Sequence, residues 1–341
     1  MKRKKNIADG ILKWVTYLFV ILLLTAHVFS YFQPERLGRL NVYSLATPVL
    51  LLINVGLLLY WIVRIHGLTL LLAAVLLLNY GYIVRFYKFS GRKIIKTGDL
   101  KVMSYNVRMF NRYDWIPQDS IEDKIRTFIN LKSPDIVCFQ EYTRNRLFDG
   151  EYPYRIEKFD TKYTTFGHAI LSKFPIIDSG SFDFDKTANN ILWADIALPA
   201  DTIRVYDVHL ESIGINPQKE NFGQKDAGQL NARISKAFEA QQYQVLRLLE
   251  HKDKSPYPVL IAGDFNNTAF SWAYRKLSRG MYDAFSEAGK GFGRTFDFPF
   301  PLRIDFILPE KGYFEVRHFK TYRVRYSDHY PVMARLKTGE K

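Results

Sequence analysis

Three apolar runs, Trp14–Phe32, Val42–Val63 and Leu68–Val84, hold no Asp, Glu, Lys or Arg and fill most of the first ninety residues. A chain that begins this way has its fold constrained by a bilayer before any other element is considered. Crossing the hydrocarbon core takes about 20 apolar residues, with about 17 as the lower limit. The first two runs exceed that limit. The third meets it and extends to Tyr87 if the Arg85 side chain snorkels. The expectation is three transmembrane helices over about 14–32, 42–63 and 68–87, in a multi-pass protein of the cell membrane. The first run alone would also suit a cleaved signal peptide, but a secreted product has no use for the second and third. Lys2-Arg3-Lys4-Lys5 ahead of the first run favours a cytoplasmic N-terminus. Three crossings then place the rest of the chain on the non-cytoplasmic side, against the pull of Arg85, Lys88, Arg92, Lys93 and Lys96. His27, Asn54 and Asn79, polar residues inside the runs, read as helix–helix contacts.

The net charge of +14 is unevenly spread: residues 1–100 carry 13 Lys and Arg against 3 Asp and Glu, so residues 101–341 account for only +4. The excess flanks the apolar runs, where anionic lipid head groups attract it. The basic balance is therefore weak evidence for nucleic-acid binding. The one cysteine, Cys138, lies in an apolar run and reads as a core thiol with no internal disulfide. Gly91–Asp99 is a polar, basic linker, and a globular domain begins at about Leu100 and runs to 341. Short apolar or alternating runs predict strands at Lys101–Tyr105, Asp135–Phe139, His168–Ser172, Ile191–Ala197, Ile203–Val208, Val259–Ala262, Ile304–Leu308 and Val332–Leu336. Helical spacing predicts helices over Ser120–Leu131, capped by Asp119-Ser120, and over Leu230–Glu250. Strands mixed with helices imply a two-sheet core flanked by helices.

Polar groups gather at the ends of these strands. Asp264 and Asn266 follow the apolar run Pro258–Gly263. Strand alternation puts residues two apart on one side, so both can enter one site. Asp264 is suited to orient and deprotonate a water, and the Asn266 amide to donate to a phosphate oxygen; an Asx turn is the competing reading. Glu141 ends the run from Asp135 to Gln140 and is a natural hard ligand for Mg²⁺ or Mn²⁺, with Asn106 equivalently placed after the first strand. Asp305 lies inside the apolar strand Arg303–Leu308, where a carboxylate needs a partner. His329 supplies one: a carboxylate on one imidazole nitrogen fixes the tautomer and frees the other for phosphate. Asp328 beside it can support the metal, and His209 offers a second imidazole. His168 is a weaker candidate for the site rim. No zinc-type Cys/His spacing and no Walker-type loop occurs. Gly289–Gly293 reads as a mobile loop.

Taken in order, Ser104-Tyr105-Asn106-Val107-Arg108, Gln140-Glu141, Ala169-Ile170-Leu171-Ser172-Lys173, His209-Leu210-Glu211-Ser212, Gly263-Asp264-Phe265-Asn266, Ile304-Asp305-Phe306 and Ser327-Asp328-His329 form a recognisable set. Over about Leu100 to Lys337 the chain resembles the endonuclease/exonuclease/phosphatase superfamily, the group of DNase I, the abasic-site endonucleases, neutral sphingomyelinases and inositol-polyphosphate 5-phosphatases. The resemblance implies an α/β fold, a four-layer α/β sandwich of the DNase I type. It implies that Glu141 binds the metal with Asn106 beside it and Asp328 assisting. Asp264 would align the nucleophilic water, Asn266 would hold the phosphate, Asp305 would pair with His329, and His209 would bind a phosphate oxygen. The implied reaction is Mg²⁺- or Mn²⁺-assisted in-line hydrolysis of a phosphate ester. Such a fold does not set the substrate. The membrane region, absent from the soluble nucleases of the group, turns the expectation toward a phospholipid head group or lipid-linked (pyro)phosphate, with the lipid bilayer as partner and no obligate protein partner. A membrane-tethered surface endonuclease or exonuclease, with aromatics stacking bases, is the alternative. A non-catalytic membrane interaction domain is a third reading, opposed by the complete set of acids, amides and imidazoles.

Overall fold

The computed structural model describes residues 7–144, 147–159, 166–185, 187–214 and 227–339. The basic cluster Lys2–Lys5 lies outside the described residues. The N-terminal region comprises α1 (Ile7–Phe29), α2 (Pro34–Leu37), a 3₁₀ stretch (Gly38–Ala46), α3 (Thr47–Val63), α4 (Leu68–Leu78) and α5 (Tyr80–Phe86). Asp9–Phe29 and Pro34–Val63 are long and apolar enough to cross a membrane; α4 and α5 make a third span only if taken together, because their axes differ by 68°. The sequence predicts one continuous helix there. Asn79 breaks it: its side-chain amide turns back to the Val75 carbonyl (2.9 Å), and its Oδ1 lies 2.9 Å from His27 Nδ1 on α1. Asn54 likewise donates to the Phe19 carbonyl at 3.1 Å. All three polar residues of the apolar runs thus join helix to helix, as expected.

One end of the bundle is marked by Asp9, which accepts from Tyr60 and pairs with Arg64. At the other end Ser30 and Tyr82 hydroxyls meet at 2.6 Å, and there the globular domain docks. Phe270 packs edge-on against Tyr82, and Phe292 and Phe300 pack on Phe86. The start of α1 and the α3–α4 turn therefore share one end, and the domain occupies the opposite one. The segment after α5, read as a linker, is laid onto the domain by bridges Lys88–Gly291 and Lys93–His318 and by the ion pair Arg317–Asp99. The glycine-rich loop is part of this junction rather than a free loop. Gly293 has a φ of +60°, and a Cβ there would come within 2.4 Å of the Phe285 ring; only glycine permits both.

The domain holds β1 (Leu100–Asn106), α6 (Ile121–Lys132), β2 (Ile136–Tyr142), β3 (Tyr154–Phe159), β4 (Gly167–Ser172), β5 (Ile176–Ser181), β6 (Ile191–Ala197), β7 (Thr202–His209), α7 (Ala227–Lys252), β8 (Val259–Asp264), α8 (Trp272–Leu277), α9 (Ala284–Ala288), β9 (Asp305–Pro309), β10 (Phe314–Thr321) and β11 (Val332–Thr338). These form a six-stranded sheet, β10-β11-β1-β2-β4-β3, and a five-stranded sheet, β5-β6-β7-β8-β9. The eight predicted strands are all present. Among the described residues the three extra ones, β3, β5 and β10, are edge strands, whose half-exposed residues give weak patterns. The sheets face each other across one core that includes Val102, Cys138, Val205 and Leu260. Their outer faces carry α7 and α8 on one side and α6 on the other, over separate apolar clusters. Leu260 and Ala262 of β8 join the inner core while Val259 and Ile261 join the outer one. A strand buried on both faces needs apolar residues at every position, which is why the run is continuous. The fold is the expected α/β sandwich of two mixed sheets between helices. The expected Ser120 cap is not formed: Ser120 is left-handed (φ 57°) and makes no side-chain cap bond.

Candidate active site

Strand pairing assembles the site. β1 and β2 are parallel with Asn106 opposite Gln140, and β7 and β8 are parallel with His209 opposite Asp264. β9 runs antiparallel to β8 and sets Asp305 opposite Asp264. The carboxyl ends of four strands and the start of a fifth thus converge from both sheets. Asn106 spans the gap between sheets: its Nδ2 lies 3.2 Å from Glu141 Oε1 and 3.1 Å from Asp264 Oδ2.

His329 is buried beside them. Its Nδ1 lies 3.2 and 3.1 Å from the two Asp305 oxygens, and its Nε2 is 3.6 Å from Asp264 Oδ2. His209 Nε2 approaches the same oxygen at 3.7 Å. The loop carrying His329 is fixed by Ser327, whose hydroxyl donates to the Asn106 carbonyl (2.8 Å) and accepts from the His329 N–H (3.1 Å). Thr295 Oγ1 accepts from the backbone N–H groups of Ile304 and Asp305. The Phe296 ring rests on His329 with centroids 4.9 Å apart.

Glu141 reaches the site through a bulge. The β2–β4 register slips between Gln140 and Tyr142, and Glu141 takes a φ of +49°. Asn266 departs from the alternation argument. β8 ends at Asp264, and Asn266 follows with a φ of +47°. Its backbone N–H donates to Asp264 Oδ1 (2.8 Å) and its Nδ2 to the Leu210 carbonyl (2.9 Å), so the amide ties two strand ends together. Asp328 lies 3.3 Å from Arg108 Nη1, and that guanidinium stacks over Trp115.

The electrostatics follow from burial. Asp264 is pushed up to about 7 by burial; positive His329 opposes the rise and the Asp305 charge adds to it. Burial alone would lower His329, yet Asp305 and Asp264 together raise it well above the ordinary imidazole value. Glu141 is raised by burial and by the neighbouring Asp328 charge. Burial, reinforced by His168 and His329, drives His209 well below the usual range.

All eight predicted site residues fall in this region. His168 is deeper than a rim residue: it is buried, its Nδ1 is 3.3 Å from Asp207 Oδ2, and its ring lies 5.6 Å from that of His209. Asp207 also accepts from Gln140. Asp207 escaped the sequence reading, although it satisfies the rule that singled out Asp305, a carboxylate inside an apolar strand. Asp264, Asp305 and His329 offer ligand atoms within 4.8 Å of one another, close enough to surround a metal ion.

Fold and site together define a metal-dependent phosphoester hydrolase. The chain belongs to the Endonuclease/Exonuclease/phosphatase family, whose model matches residues 103–329. A second family model, described as a domain of unknown function, matches residues 9–86. A comparison with curated proteins gives no match. Among solved structures, an endonuclease/exonuclease/phosphatase from Bacteroides vulgatus is similar with a TM-score of 0.54 and 19% identity, covering 71% of this chain and 100% of that one. A humanized D. rerio TDP2 gives 0.54 and 18%, covering 70% and 99%. SmcL gives 0.52 and 18%, covering 71% and 100%. At these identities the likeness is one of fold.

Proposed function

We propose that the protein hydrolyses a phosphate ester of a membrane lipid, either a phospholipid head group or a lipid-linked (pyro)phosphate, with the globular domain on the non-cytoplasmic side. The catalytic part rests on one observation above the others: Asn106 links Glu141 to Asp264, and His329, paired with Asp305, approaches the same Asp264 oxygen.

Glu141, Asp328 and Asn106 would hold the divalent cation. Their donors are two carboxylates and an amide carbonyl, the hard oxygen set that Mg²⁺ and Mn²⁺ take. The Asp264–Asp305–His329 cluster is compact, but His329 Nδ1 is already committed to Asp305, and a protonated imidazole is no ligand. When bound, the cation neutralises phosphate charge as a Lewis acid. Asp264 orients a water and takes its proton, a task for which a carboxyl near 7 is matched. Asn106 Nδ2 and the Asn266 N–H hold its two oxygens in place. His329, kept charged by Asp305, donates to a phosphate oxygen as negative charge develops. His209, kept neutral by burial, contacts a second oxygen.

The lipid part rests on the route from membrane to site. The segment after Gly291 starts against α5, with Phe292 on Phe86, and reaches His329 through Phe296. Phe300 returns to Phe86, and Arg303 donates to the Arg85 carbonyl. One aromatic segment therefore borders both the bilayer junction and the reacting groups. The nuclease reading draws on Tyr113 and Trp115, exposed aromatics next to Arg108. The discriminating experiment is a hydrolysis panel on the full-length protein with Mg²⁺ or Mn²⁺, with Asp264→Ala as blank. Phosphate or head-group release from phospholipids or lipid pyrophosphates is expected. DNA or RNA cleavage with inert lipids would replace the proposal by the nuclease reading.

A further inference from the structure

One charged cavity includes none of the catalytic residues in its lining. It has a volume of about 330 Å³ and is bounded by Lys93 of the segment after α5, Lys290 of the glycine-rich loop and Arg294 just after it, His318 and Lys320 of β10, and Arg323 beyond that strand. Phe285 and Phe319 also line it, and among the described residues no Asp or Glu does. β10 is the sheet edge, and β11 separates it from Asn106 on β1.

Three features point to an anionic occupant. Among the described residues Arg294 is paired, with Asp297, whereas Lys93, Lys290, Lys320 and Arg323 make no ion pair. Like charges around one concave surface repel each other and focus a positive potential into it. The Thr321 hydroxyl oxygen, also in the lining, is buried with no hydrogen-bond partner among the described residues. His318 Nδ1 is engaged by the Arg92 carbonyl at 3.1 Å, which leaves Nε2 as its free nitrogen.

The cavity's position says which anion. The bridges Lys88–Gly291 and Lys93–His318 bracket it, immediately after the last apolar helix. Between those bridges Phe89 is 83% exposed, just past the second Ile95 is 55% exposed, and Tyr87 packs against both Phe89 and Phe292. Exposed aromatics next to a membrane helix mark head-group depth, and basic groups at that depth attract anionic lipid. We infer that this cavity binds the phosphate head group of an anionic phospholipid in the adjoining leaflet, as a non-catalytic site. The inference stands whether or not the substrate is itself a lipid.

The test is native mass spectrometry of the full-length protein in detergent, titrated with phosphatidylglycerol, phosphatidylcholine or inorganic phosphate. The variant is Lys290→Gln/Lys320→Gln/Arg323→Gln. The matched control, Lys236→Gln/Lys254→Gln/Lys311→Gln, removes three exposed cations elsewhere. Neutralising three cations at head-group depth should weaken phosphatidylglycerol binding by about a hundredfold. The control should stay within about threefold of the parent, and phosphatidylcholine binding should not respond to either change. Thermal melts matching the parent exclude misfolding of these surface variants. Equal loss in both triple variants would reduce the effect to diffuse charge and overturn the inference. So would unchanged binding in the cavity variant. Inorganic phosphate binding as tightly as the lipid, with the same sensitivity to the cavity variant, would assign the site to a free anion instead.

Discussion

Asp305→Asn tests whether the charge on His329 drives turnover. The substitution is isosteric and leaves one oxygen for His329 Nδ1, so the ring position is retained. The backbone N–H of residue 305 still reaches Thr295. The negative charge goes, together with one of the two acceptors facing Nδ1. At the observed 3.1 Å, with an effective dielectric constant of about 20, that charge interacts with a protonated imidazole by about 5 kcal/mol. Desolvation of both ions offsets part of this. What reaches the transition state is the difference between a charged and a neutral donor to phosphate, about 2.7 kcal/mol, or about a hundredfold in kcat. The assay is steady-state hydrolysis of a soluble phosphodiester by the full-length protein at saturating Mg²⁺, well below the melting temperature of the variant. Asp305→Ala, which also frees the tautomer, should lose more. A kcat for Asp305→Asn within threefold of the parent would refute the assignment of a charged His329 as phosphate donor.

Chelation should abolish hydrolysis, Mg²⁺ or Mn²⁺ should restore it, and Glu141→Gln should need at least about tenfold more metal for half-maximal rate; an unchanged activity–metal curve would remove Glu141 from the metal site. Arg303→Met leaves buried Asp283 without the guanidinium that now lies 2.8 and 3.1 Å away, and should cost about 3–5 kcal/mol in a denaturant or thermal melt. Burial raises Asp283, but Arg303 outweighs it and holds the carboxyl below its usual value. The pair's contribution is therefore present above the unfolded carboxyl value of about 3.9 and lost as pH falls through the lower folded value, so the parent–variant gap should narrow in acid. Topology is open to cysteine labelling because Cys138 is buried: Ile65→Cys and Leu131→Cys should react from opposite faces of the membrane, with Leu131→Cys on the outside. Labelling of both from one face would contradict the bundle geometry.

The parts of the fold legible in the sequence are those where one force dominates. β1, β2, β7 and β8 are buried on both faces, and their apolar runs are unambiguous. The edge strand β5 alternates burial imperfectly, as in Ile176-Ile177-Asp178-Ser179, and a half-wet edge imposes no clear period. The N-terminal helices are readable as apolar mass, but the bend at Asn79 is not. Composition records the hydrophobicity of Leu68–Val84, whereas the break depends on one amide bonding back along its own helix and across to His27.

The site divides along a similar line. Residue types at strand ends mark where polar groups collect, because the strand tips are where a buried run first meets solvent and substrate. How they point is set by backbone geometry that no periodicity encodes. Strand alternation predicts that Asp264 and Asn266 face the same way, yet Asn266 lies past the strand in a left-handed conformation and uses its amide to hold Leu210. The same left-handed twist, at the bulge in β2, lets Glu141 meet Asn106 instead of following the alternation of Gln140. A non-glycine residue with positive φ carries strain, and such strain persists only where surrounding contacts over-determine it. Both instances lie where the two sheets' strand ends meet, and both are held by hydrogen bonds to neighbouring strands. The positive-φ backbone at Glu141 and Asn266 is therefore part of what converts adjacent strand ends into a single reaction centre.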